Sequence, residues 1–215
     1  MPNLFIQAIL ETLYMTLGST LIAYLFGLPL GIILEITKEN GLLESLWIHK
    51  LLSLLINLLR SIPFIILLMM VQPITRSLTG TTIGSTATIV PLSIAAIPFI
   101  ARLVQSSLEE VDRGIIEAAT SMGASVRQII SQVLIVEAMP SLLINAVIAT
   151  TTILGYTAMA GFVGAGGLGS IAVNYGFYRS NYSMMLMAVA LLIIIVQIFQ
   201  ELGLKLARTI NKKKQ

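Results

Sequence analysis

The sequence predicts an all-α, polytopic membrane protein. It has five transmembrane helices, the N-terminus outside, the C-terminus in the cytoplasm, and a short cytoplasmic helix between helices three and four. Three observations carry this. Apolar residues are 56 % and charged residues 11 % of the 215, against ~45–50 % and ~25 % in ordinary soluble domains. The charges are separated by uncharged runs of spanning length. The basic residues gather on one side of those runs. A mean hydropathy of +0.93 agrees, and together these exclude a soluble enzyme, a disordered chain and a nucleic-acid binder. With no Cys and a single His, His49, there is no disulfide framework, thiol nucleophile or histidine-cluster metal site within one chain. No catalytic, metal or cofactor-binding residues are expected.

The first span falls between Glu11 and Glu35, which enclose 23 uncharged residues. A helix needs about 20 to cross the hydrocarbon core. Glu11 ahead of the apolar run, with no basic residues before it, does not fit a cleavable signal peptide. The second span lies between Lys50 and Arg76, where only Arg60 interrupts. The 15 residues beyond Arg60 are too few alone, so the span begins earlier, at about 52. Arg60 then sits toward the inner edge, either snorkelling or facing a path. The third span uses the 25 residues between Arg76 and Arg102. Between Glu137 and Arg179 lie 41 uncharged residues. Gly161 to Gly169, with five glycines in nine residues, fits a buried or re-entrant loop, which leaves one span there. The fifth span fills the 21 residues between Arg179 and Glu201. The expected spans are 12–35, 52–75, 80–102, 140–160 and 182–204 within one unit, 1–215.

Orientation follows from the positive-inside bias. With the N-terminus outside, ten basic residues lie inside, including Lys38, Lys50, Arg102, Arg113, Arg127, Lys205 and the tail Lys212 to Lys214, whereas Arg76 and Arg179 lie outside. No acidic or basic residue is expected at the centre of a span, which argues against an ion-driven carrier and for energy entering from outside the membrane. Pro29, Pro63, Pro91 and Pro98, with Ser85, Thr86, Thr88, Ser93, Asn145 and Thr150 to Thr152, mean tight helix packing or a translocation path. The Leu-, Ile- and Met-rich fifth span reads as peripheral.

The hydrophilic stretch 103–138 is the most informative. Ser107-Leu-Glu-Glu110 has capping-box spacing, Ile115 to Met122 carries apolar positions at helical spacing, Gly123 fits a left-handed helix end, and Ser125-Val-Arg-Gln128 opens another helix. A short apolar-faced helix standing in the cytoplasm needs a partner.

Glu117-Ala118-Ala119, three residues, then Gly123 resembles the "EAA" loop of ABC-importer permeases, although Ile135-Val136 stands where that family usually has Leu-Pro. Arg60-Ser-Ile-Pro-Phe64, Gly155-Tyr-Thr-Ala-Met159 and Gly161 to Gly169 extend the resemblance to the methionine-importer branch, over residues 10 to 210. The resemblance implies a homodimeric permease docked on two cytoplasmic ATPase subunits and served by an extracytoplasmic substrate-binding protein, in a bacterial cell membrane. ATP and Mg belong to the ATPase, and this chain has no phosphate-binding G-x-x-x-x-G-K-[ST] loop. Glu117, Ala118, Ala119, Met122 and Gly123 would form the ATPase contact. Arg60, Tyr156 and Met159 would line the path, with ordinary packing as the competing reading. The cargo would be D/L-methionine or a related small amino acid. Alternatives are a permease for another small solute and a non-ABC membrane binding component.

Overall fold

The structure is a computed structural model that describes residues 2–212; Lys213 and Lys214 of the basic tail lie outside the described residues. Among the described residues, four helices are long and apolar enough to span a membrane: Asn3–Thr37, Ser85–Glu109, Val126–Val163 and Tyr182–Ala207. A fifth crossing is available only as a broken pair, Leu46–Ser61 with Phe64–Met70, bent by 103°.

The elements are α1 (Pro2–Thr37), α2 (Leu46–Ser61), α3 (Phe64–Met70), α4 (Gln72–Thr79), α5 (Ser85–Glu109) and α6 (Arg113–Ser121). Then α7 (Val126–Gln128) runs through a π-helical stretch, Ile129–Leu134, into α8 (Ile135–Ala160). A single 3₁₀ turn, Gly161–Val163, leads to α9 (Gly167–Ile171), a second π-helical stretch, Ala172–Phe177, and α10 (Tyr182–Lys212).

The expected second span over 52–75 is therefore not one helix. It starts at Leu46 and stops at Ser61 because of Pro63. Proline lacks an N–H and crowds the residue before it out of the helical region, and Ile62 is accordingly extended at φ −81°, ψ 123°. The first span extends beyond its expected start, so that Glu11 lies within α1.

At the centre is α5, buried along most of its length by Leu92, Ala96, Ile100, Val104 and Leu108. It lies against α1 at close range because α1 presents glycines. A Cβ on Gly31 would come within 2.6 Å of the Ala101 carbonyl oxygen and of Val104 Cβ, and one on Gly27 within 2.8 Å of Ile100 Cγ2. This small-x-x-x-small spacing lets two membrane helices gain dispersion contacts where no hydrophobic effect separates protein from lipid.

Most of the small polar residues noted in the spans bond within their own helix. Thr88 donates to the Gly84 carbonyl and Ser93 to that of Ile89; Thr150, Thr151 and Thr152 donate to carbonyls four residues back. Asn145 is different. Its Nδ2 donates to Ser107 Oγ at 2.7 Å and to the Leu103 carbonyl at 3.2 Å, and Ser141 Oγ donates to Ser107 Oγ at 3.2 Å. This clamp joins α8 to α5 and corrects the reading of Ser107 as a helix cap. Helix α5 continues to Glu109, so Ser107 is interior and fully buried. His49 Nδ1 meets the Leu34 carbonyl at 3.0 Å and ties α2 to α1. Helix α10 leaves Leu186, Ile193, Ile194 and Ile198 exposed, which suits a peripheral helix against lipid.

The two ends of α1 meet different parts of the bundle. Glu11 of α1 meets the glycine-rich loop, whereas Lys38, just past α1, meets Glu109 beside α6.

Candidate functional site

Helix α6 stands at one end of the bundle. Asp112 caps its start by accepting from the Gly114 N–H at 2.6 Å. Asp is a favoured N-cap residue, and it outcompetes the expected cap at Ser107. The far end closes with the Ala124 N–H donating to the Ala119 carbonyl at 3.1 Å and the Gly123 N–H to that of Thr120 at 2.9 Å. Gly123 sits at φ +82°. These are the paired bonds of a left-handed helix cap. The second cap reads true: Ser125 and Gln128 form a reciprocal capping box.

Glu117, Ala118, Met122 and Gly123 face solvent in this single chain, with Met122 82 % exposed. Ala119 differs from its expected role. It is 6 % exposed and belongs to the core cluster with Ile36, Leu108 and Ile129. Its small side chain lets α6 approach its own bundle and is turned away from the outer face.

Charged groups anchor the base of α6. Lys38 Nζ meets Glu35 Oε1 at 2.8 Å and Glu109 Oε1 at 2.9 Å, bridging α1 to the end of α5. Burial disfavours the Lys38 ammonium, but its bonds to Glu35 and Glu109 outweigh that and hold its pKa above the ordinary lysine value. Beside the bridge a cavity of about 370 Å³ is lined by Lys38, Leu42, Arg113 and Glu117.

The other residues singled out in the sequence divide. Arg60 and Tyr156 come together on a second cavity, of about 210 Å³, with Phe64 and Phe99. The Tyr156 and Phe64 rings stack with centroids 4.6 Å apart and planes 5° from parallel. The Arg60 guanidinium lies 6.0 Å from the Phe99 ring centroid. Met159 is 47 % exposed and does not line this cavity.

Arg60 lies further along its helix than a span starting at 52 implies. Since α2 starts at Leu46, Arg60 lies roughly 20 Å along it at ~1.5 Å per residue, beside Phe99 near the middle of α5. It is away from the α6 end and exposed in this single chain. The difference comes from α2 starting at Leu46 and not at 52.

A third assembly was not foreseen. Glu11 Oε2 accepts from the Gly167 N–H at 2.7 Å, and Thr12 Oγ1 accepts from the Leu168 N–H at 2.9 Å. Gly166 and Gly167 sit at φ +87° and +72°. A Cβ on Gly161 would collide with the backbone at Gly169 and Ser170, so the glycines make the fold-back possible. Glu11 marked only the start of a run in the sequence; its partner lies at the far end of the chain. Replacing Glu11 with Ala leaves a backbone donor without its carboxylate and is expected to cost about 1–3 kcal/mol, with Glu11→Gln intermediate. Thermal denaturation in detergent measures both.

Among the described residues, a helical bundle with four helices long and apolar enough to cross a membrane, and a solvent-facing short helix at one end, fits a membrane-embedded subunit. The chain belongs to the family of binding-protein-dependent transport system inner membrane components, whose profile matches residues 27–208. It is 46 % identical over 211 residues to the probable D-methionine transport system permease protein MetI of Vibrio cholerae serotype O1, covering 98 % of this chain and 94 % of that one. To the protein of the same description in Haemophilus influenzae it is 43 % identical, covering 94 % and 95 %. Among solved structures it superposes on a chain of the MetNI methionine ABC transporter in an inward-facing conformation, with TM-score 0.95, 42 % identity and 96 % coverage of both. An amino acid ABC transporter at 21 % identity and TM-score 0.79 shares the fold.

Proposed function

We propose that the chain is the permease subunit of an ATP-driven importer that moves D/L-methionine, or a closely related small amino acid, inward by alternating access. The observation that carries this is the near full-length likeness to permeases described as transporting D-methionine. Two copies pair in the membrane with the α6 end in the cytoplasm and the N-terminus outside. Each docks one ABC ATPase subunit through the outer face of α6, using Glu117, Ala118, Met122 and the Gly123 turn. A substrate-binding protein delivers cargo on the opposite side. The chain binds no cofactor, and ATP and Mg sit on the ATPase. Closure of the ATPase pair draws the α6 helices together and rocks the bundles outward; hydrolysis resets them, a two-state element biased by a remote ligand. Arg60, Tyr156 and Met159 face the path between the two copies.

Uptake of labelled L-methionine, in cells with and without this chain and with its own ATPase and binding protein present, tests the reading. Loss of uptake on deletion, competed by unlabelled D- and L-methionine and not by other amino acids, is the expected result. Unchanged uptake overturns the cargo.

A further inference from the structure

Arg60 lies in the last turn of α2, exposed in this single chain and beside Phe99 near the middle of α5. Charged residues within membrane spans face the bundle interior or a water-filled cavity, pair with a partner, and mark substrate pathways. No described carboxylate lies within ion-pair distance of Arg60; the ion pairs among the described residues are those of Lys38 and Lys205. Among the described residues its guanidinium lies over the Phe99 ring, which supports it from one side and leaves its N–H fork open.

About one turn away along the same α2–α5 seam lies a second arginine. Arg102 donates to Asn57 Oδ1 at 3.1 Å and to Gln105 Oε1 at 2.7 Å. It too has no acid within ion-pair distance among the described residues. Two positive charges thus flank one seam with neutral partners only. Low-dielectric walls focus such a field on an anion. The Tyr156–Phe64 stack also lines the Arg60 cavity and offers a surface for an apolar or thioether side chain. At about 210 Å³ the cavity is smaller than the ~300–1,000 Å³ pockets of drug-sized ligands and suits one small molecule.

We propose that this cavity is a transit site that holds the α-carboxylate of the cargo on Arg60 and its side chain on the Tyr156–Phe64 wall. The proposal rests on the import reading above and adds a ligand class to it: a small monocarboxylate with an apolar side chain.

Two measurements on the assembled transporter test it. In proteoliposomes, methionine moved per ATP hydrolysed is expected to fall about tenfold in Arg60→Gln. Arg60→Lys is expected between, since an ammonium keeps the charge without the fork. A wild-type ratio in Arg60→Gln overturns the site. In the wild-type complex, phenylglyoxal modification of Arg60, read by peptide mass spectrometry, is expected to slow severalfold with millimolar L-methionine and not with methioninamide, which lacks the carboxylate. Equal protection by both, or by neither, overturns the site, and this arm decides if the variants do not assemble. A wild-type assembly that hydrolyses ATP without moving methionine overturns the import reading itself; one that imports methionine with Arg60 unprotected overturns only the transit site.

Discussion

Gly123→Val is expected to abolish ATP-driven uptake while the chain still inserts in the membrane. A Cβ at Gly123 meets nothing within 4 Å, so lack of space is not the reason. The reason is φ +82°, a region where an L-residue costs roughly 1–2 kcal/mol and a β-branched one more. Relieving that strain breaks the bonds from Gly123 and Ala124 to Thr120 and Ala119 and turns the exposed Met122 and Glu117 away from their docking direction. Gly123→Asn, which tolerates the left-handed region, is expected to retain most uptake. Uptake assays paired with immunoblots of the membrane fraction separate coupling from insertion. Full uptake by Gly123→Val would remove α6 from the coupling role.

Gly31→Leu is expected to act earlier, on the fold. Here the obstacle is backbone: the Ala101 carbonyl oxygen at 2.6 Å from an added Cβ, with Val104 Cβ equally close. Neither moves without parting α1 from the central helix. Overpacking of this kind costs about 1–3 kcal/mol, which lowers Tm by roughly 2–12 °C at about 2–4 °C per kcal/mol. Gly31→Ala is expected to show a smaller drop. Yield and thermal unfolding of the purified complex in detergent report both, and a Gly31→Leu protein as stable as the wild type would contradict the close α1–α5 approach.

Much of the architecture was legible because the membrane simplifies the code. Water-starved backbone must close its hydrogen bonds internally, so the uncharged run between Arg76 and Arg102 was expected to hold a helix over 80–102; α5 covers most of it, starting at Ser85 and continuing to Glu109. The break at Pro63 was harder. Prolines at 29, 91, 98 and 140 lie inside continuous helices, so proline alone does not separate a tolerated position from a 103° bend. The cap of α6 was misplaced for a related reason. Ser107 and Asp112 are both good capping residues, and only the packing of Ser107 against Asn145 decides that α5 continues past it.

Of the site, the left-handed turn at Gly123 was readable, because glycine after a short apolar-faced helix has few other uses. The inward turn of Ala119 was not, because helical spacing gives relative directions and not which side meets the core.

What the sequence determined by itself is everything written in one dimension: composition that demands lipid, runs long enough to cross it, the charge bias, and the glycine that ends α6. The tertiary structure alone decided what depends on residues far apart in the chain. It placed Glu11 on the Gly167 N–H, Lys38 between Glu35 and Glu109, and Arg60 on one cavity with Phe99 and Tyr156. The physical reason is that a charge in a helix bundle is defined by depth and neighbours, and both follow from where the helices start and which glycines let them close.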